Sequence, residues 1–215
     1  MDIGEIEERL RHFEAAERAY LSVACPEHLA TGVFDPVRRD VCMPRTQPEL
    51  VAWAWQGIAS VYARRGEPEI VLAASEMVLR IASPTDPRLT LYRRLHALAL
   101  RNVMRFADAM EAYALAAEEG ADDQSPHDIG TIILEPDWDD DLEDDPIKPL
   151  DRPEVLRFLE AHPGVAPEVL WSVGTRLLDR GETSDGIAAL EELVRRAPTH
   201  PRALGARPLL ERARP

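Results

Sequence analysis

The chain has 215 residues, 45% of them hydrophobic, which is enough to pack the interior of one elongated domain or two small ones. No apolar run approaches the roughly 20 residues of a membrane span, and the opening MDIGEIEERLRHFEAAER is too charged for a signal peptide, so a soluble cytoplasmic protein with no membrane partner is expected. Of the net charge of −14, the stretch from Glu118 to Asp151 supplies 14 acids against the single base Lys148, a balance of −13 that leaves −1 elsewhere; no basic field for nucleic acid exists.

From Ile3 to Val23, the residues Ile6, Leu10, Phe13, Ala16, Tyr20 and Val23 recur at intervals of three and four with charges between them, which predicts an amphipathic helix. Pro26, Pro36, Pro44 and Pro48 then interrupt any helix, so 25–48 reads as an ordered crossing loop with one helical turn near Asp35 to Asp40. Paired helices follow at about 48–65 with 68–82 and 87–102 with 105–119. Pro68 after Gly66, and Asp86 before Pro87, mark starts. From Gly120 to Pro149 no helical period is visible; the stretch holds a β-like piece, Thr131 to Leu134, and then the acidic run. Helix resumes at Pro153 to Ala161, a hairpin spans about 167–180 and 184–197, and a closing helix covers 201–213.

Cys25 and Cys42 form no close pair, so two reduced thiols are expected. Cys25, His28 and Cys42, with His12, could supply zinc ligands, but the usual second close pair is missing and a buried thiol beside a loop histidine is the plainer reading. No HxxxH or HExxH spacing occurs, and His96, within an apolar helix, reads as a hydrogen-bonded interior residue. Asp137, Asp139 and Asp141 alternate as in a calcium loop, but Leu142 stands where that loop needs glycine and Lys148 where it needs a bidentate acid. No metal or other cofactor is expected.

One spacing recurs. Trp55, Ile58, Ala59 and Tyr62 precede Gly66, with Val71, Ser75 and Val78 beyond it. Leu170, Val173, Gly174 and Leu177 likewise precede Gly181, with Gly186 and Leu190 beyond and Val194 and Pro198 following. A third copy runs from Ala97 and Leu100 to Phe106, Ala109, Tyr113 and Ala116, with Met104 in the place of the turn glycine. Small residues such as Ala59, Gly174, Ala109 and Gly186 let paired helices approach, while Tyr62, Leu177, Tyr113 and Leu190 fill the seams. Each hairpin needs its neighbour to cover its apolar face.

These copies resemble tetratricopeptide repeats over residues 50–119 and 165–200, with an echo at the N-terminus. The resemblance implies an all-α fold of stacked antiparallel helical hairpins, a solenoid carrying a long acidic insertion. It orders the chain as an N-terminal half-repeat or cap (1–24), a crossing loop (25–48), two hairpins (49–119), the acidic insertion, partly disordered (120–151), and a last hairpin with its capping helix (152–215). It also implies a concave wall built from the first helix of each pair, presenting Trp53, Gln56, Ser60 and Arg64, then Arg94, Leu98, Arg101 and Asn102. Arginine forks and amides there suit an extended, carboxylate-bearing peptide; a solvated face with Arg paired to Glu is the plain alternative. The Lys and Asn clamp of some family members is absent. Trp171 either extends the groove or takes a capping or core role.

In the insertion, Trp138 among Asp139, Asp141 and their acidic neighbours suits docking on a basic partner, or else a solvated linker that aids solubility. The expected function is thus a protein-binding adaptor. The alternative is an acidic regulator or inhibitor that occupies a basic site on another protein. A metal-dependent enzyme comes third, since no GxSxG, GxxxxGK[ST] or GxGxxG motif is present.

Overall fold

A computed structural model describes residues 3–25, 47–120, 124–135 and 148–213. Every regular element among them is helical: α1 (Ile3–Ala24), α2 (Pro48–Arg65), α3 (Pro68–Ile81), α4 (Leu89–Asn102), α5 (Phe106–Gly120), α6 (Ser125–Ile133), a 3-10 turn (Pro149–Asp151), α7 (Pro153–Ala161), α8 (Ala166–Asp179), α9 (Thr183–Arg196) and α10 (Pro201–Ala213). Proline stands at the first or second position of α2, α3, α6, α7 and α8, where its missing N–H lacks an intrahelical partner in any case. The chain forms two compact units, Met1–Val103 and Met104–Pro215, so the division falls between α4 and α5.

In the first unit each helix packs on the next, α1 on α2, α2 on α3 and α3 on α4. At the first seam Gly57 leaves room for Tyr20, whose ring would lie 2.4 Å from any added Cβ. Tyr62 donates its hydroxyl proton to Glu17, and the Arg65 guanidinium meets the other oxygen of that carboxylate at 2.8 Å. Burial, and then the bond to Glu17, push the Tyr62 phenol well above its ordinary pKa. Between α3 and α4, His96 Nδ1 and Ser75 Oγ lie 3.0 Å apart, the hydrogen-bonded role expected for this histidine. Helix α4 begins two residues later than the start expected at Pro87, with Arg88 at its N-cap and no side-chain cap; the Asp86 carboxylate accepts from the Arg88 backbone N–H at 2.9 Å and from the Arg88 guanidinium, ordering the turn before the helix.

In the second unit α5 packs on α6 and α7, α6 on α8, α8 on α9, and α10 on both α8 and α9. The closest approach is at Gly174 and Gly186. A Cβ on Gly186 would stand 2.8 Å from Leu178 Cγ and 3.0 Å from the Gly174 carbonyl oxygen, and one on Gly174 2.8 Å from Leu190. Met104, at the place of a turn glycine, adopts φ +62°, as Gly66 does at +75° and Gly181 at +82°. Backbone geometry thus recurs at this position where residue type does not.

Two expectations are corrected. The β-like piece Thr131 to Leu134 lies mostly within α6, and 125–133 is helical although the stretch showed no period. The β-branched run TII suggested a strand, but Ile129, Ile132 and Ile133 sit at i, i+3 and i+4 and are all fully buried, as a helix face requires. Gly130 brings that face against α8, where an added Cβ would meet Ser172 Oγ at 2.6 Å. The Arg152 side chain then donates to the Ile133 carbonyl at 2.6 Å, closing the C-terminal end of α6.

Second, Cys25 is not a reduced thiol: it is fully buried and disulfide-bonded. Sequence spacing says nothing about approach through space, and this residue is held at the end of α1 by the core of Leu21, Val51 and Ala52. Cys42, His28 and the turn expected near Asp35 to Asp40 lie outside the described residues.

At the end of α7, His162 sits in an acidic clasp. Its Nδ1 lies 2.9 Å from Glu118 and its Nε2 2.7 Å from Glu111, both on α5, with the Phe158 ring 4.9 Å away. Only the imidazolium can donate from both nitrogens. Burial by itself lowers the His162 pKa, but the bonds to Glu118 and Glu111 and their charges outweigh it, and the net displacement is upward. A group raised on folding stabilises fully below its unfolded pKa, about 6.5, and that contribution fades as pH rises through the folded value. The second unit is therefore expected to lose stability more steeply than a His162→Gln variant as pH rises above about 6.5, in urea titrations upward from that pH; parallel profiles would refute the clasp.

Candidate protein-interaction surface

The residues expected on the concave wall lie in the first unit, on α2 and α4. Trp53, Ser60 and Arg64 are exposed on one face of α2, with Gln56 half-buried among them. Trp53 is not wholly free for a partner. Its ring meets Tyr20 of α1 edge-on, with centroids 5.4 Å apart and planes at 71°, while 47% of the residue remains exposed. Ser60 donates back to the Gln56 carbonyl at 3.1 Å, a local bond that leaves the Gln56 amide out of account.

On α4, Asn102 and Leu98 are exposed, whereas Arg94 and Arg101 are half-buried. The Arg94 Nε is shielded from solvent, and both arginines already have an interaction within the molecule. The forks thought to await carboxylates are in part committed. Leu98, expected on this face, is 41% exposed; what the sequence reading missed is the rest of the apolar set, Leu91 at 44% and Leu95 at 36% on α4 and Leu50 at 44% on α2. The helix sequence LTLYRRLHALALRN carries leucines on more than one side. The side holding Tyr92, Ala99 and Leu100 is buried, so the other leucines are left outward. Counting leucines against the two sides of one helix would have found them.

Arg88, just before α4, feels the charge of Glu49 in the first turn of α2. Leu50 and Trp53 stand near the start of α2 and Leu91 near the start of α4. Exposed apolar side chains of this size are worth explaining when they cluster, because monomeric surfaces seldom collect them.

Trp171 has a different setting. The Arg202 guanidinium of α10 lies over its ring at 5.5 Å, and a Cβ on Gly205 would come within 3.5 Å of it. The ring is thus covered in part by α10 through a cation–π contact. Trp138, Asp139 and Asp141 lie outside the described residues. Among the described residues no helix is long and apolar enough to cross a membrane, and no cluster of His, Cys, Asp and Glu has the arrangement of a metal site. Compared with known proteins, the chain matches no protein-family model and no curated sequence.

Proposed function

We propose that this chain is a protein-binding adaptor built from helical hairpins of the tetratricopeptide type, and that it holds a partner segment on the exposed faces of α2 and α4. What supports the repeat reading is the serial packing of α1 to α4 in the first unit, the α8–α9 hairpin of the second, and the left-handed turn at Gly66, Met104 and Gly181, which sit at matching places in the repeated spacing. The observation that carries the binding reading is the outward set of Leu50, Trp53, Leu91, Leu95 and Leu98. Trp53 is the natural anchor, since a large ring held along one edge by Tyr20 loses little freedom when a partner covers the rest. Gln56, Arg64, Arg94, Arg101 and Asn102 form its polar rim.

Affinity capture with the intact chain and with a Trp53→Ala, Arg64→Glu double variant tests this. Proteins retained by the first should be lost by the second, with both chains equally helical by circular dichroism. Equal recovery would overturn the reading.

A further inference from the structure

The acidic clasp of His162 fixes one end of α7, and that end answers to a proton where the other does not. α7 has nine residues, short of the roughly 12 to 15 at which an isolated helix becomes even marginal in water. It depends on what it packs against, and the helix it chiefly packs on is α5. Val155, Phe158 and Leu159 form its buried side, while Leu156 is 40% exposed. At its start the Arg152 side chain donates to the Ile133 carbonyl of α6, a bond in which neither group titrates near neutrality. At its end the Arg196 guanidinium of α9 donates to the Leu159 carbonyl at 3.2 Å, and His162 meets Glu111 and Glu118. Of these ties, the last alone changes with a proton in the neutral range.

Protonated, the ring donates from both nitrogens and two carboxylates converge on one cation. Neutral, it keeps one N–H, and the other nitrogen turns a lone pair toward a carboxylate oxygen at 2.9 or 2.7 Å. One bond becomes a repulsion, and the charge attraction goes with it. The remaining charges nearby are committed or distant. On α7, Glu154 is paired with Arg157 and Glu160 is exposed; Asp151 belongs to the turn at the far end; Arg196 of α9 is held by Glu192, and Glu168 of α8 by Arg202. Loss of the proton therefore leaves Glu111 and Glu118 without the cation between them. Both carboxylates are exposed, so solvent can supply and remove that proton.

We propose that His162 with Glu111 and Glu118 is a pH-operated latch, which holds the C-terminal end of α7 on α5 while the imidazole is protonated and lets that end lift once the proton is lost. α8, α9 and α10 pack directly on one another, so the opening is local. The open form uncovers Phe158 and Leu159 beside the outward Leu156, an apolar edge that the closed form hides. All of these groups belong to the second unit, and the inference stands apart from the binding surface proposed on the first.

Hydrogen exchange of the intact chain, read by mass spectrometry and converted to protection factors, tests the latch. Protection across 153–161 should be lower than across α8 and α9. Because one proton is linked to closure, it should fall by up to about tenfold per pH unit as pH rises above about 6.5, then level off. Whole-unit unfolding loses the same proton, so low concentrations of urea separate the two: α7 should respond slightly, since a local opening exposes little surface, and α8 and α9 steeply. In His162→Gln the protection of α7 should not vary with pH. Glu118→Gln keeps an acceptor for the ring and removes a charge, so it should lower the NMR titration midpoint of His162 and shrink the pH response of α7. Protection of α7 that ignores pH, a urea response equal to that of α8 and α9, or an undiminished pH response in either variant would each overturn the latch.

Discussion

Gly186→Val is expected to destabilise the second unit by about 3 kcal/mol, the upper end of overpacking costs. The added Cβ would arrive 2.8 Å from Leu178 Cγ and 3.0 Å from the Gly174 carbonyl oxygen. The leucine can turn aside, but the carbonyl belongs to the backbone of α8 and moves only if the helix does. Valine brings two more methyl carbons into the same seam. Its better helix propensity offsets at most a few tenths of a kcal/mol. Gly205 supplies the contrast: its nearest neighbour would be the Trp171 ring at 3.5 Å, an ordinary contact, so Gly205→Ala should raise stability by about 0.5 kcal/mol through propensity alone. Urea unfolding of both variants measures the difference, and a Gly186→Val chain as stable as the parent would remove the close contact of α8 with α9.

Cys25→Ser should cost the first unit about 3 kcal/mol, the usual worth of a native disulfide. Cys25 is fully buried at the end of α1, where a serine hydroxyl would also need a hydrogen-bond partner within an apolar core. The parent chain in reductant should unfold at the lower urea concentration of the variant, and the variant should ignore reductant. Thiol titration of the unfolded chain should find no free thiol before reduction. An unchanged midpoint on reduction, or a free thiol at Cys25, would overturn the assignment. Such bonds persist in oxidising surroundings and are uncommon in reducing ones, so this measurement bears directly on the cytoplasmic expectation.

Helix positions were largely legible in the sequence because the start signals are strong. The helix expected at 48–65 is α2 as Pro48–Arg65, and the one expected at 153–161 is α7 as Pro153–Ala161; both open on a proline. The close pair of Gly174 and Gly186 was legible too, since small residues recurring at a fixed place in a repeat have few uses other than backbone approach. α6 was not legible, because nine residues rich in isoleucine carry the propensity of a strand and only their burial pattern reveals the helix. The His162 clasp lay beyond reach for another reason. Glu111 and Glu118 are two turns apart on α5 and 44 or more residues from the histidine, a meeting that tertiary packing alone arranges. On the interaction surface, residue type pointed to arginine and amide beside Trp53 and Leu98, while the outward Leu91 and Leu95 emerged only once one side of α4 was seen to be covered.

The buried position of α6 sets a boundary for trimming the chain. Excising 122–149 whole, as one would with a dispensable acidic tether, would strip Ile129, Ile132 and Ile133 from α8 and leave Arg152 without the carbonyl it closes on. A shortened chain that keeps everything through Glu135 and resumes at Lys148 removes most of the carboxylates while sparing that helix, and is the version in which the role of the acidic run can be separated from the folding of the second unit.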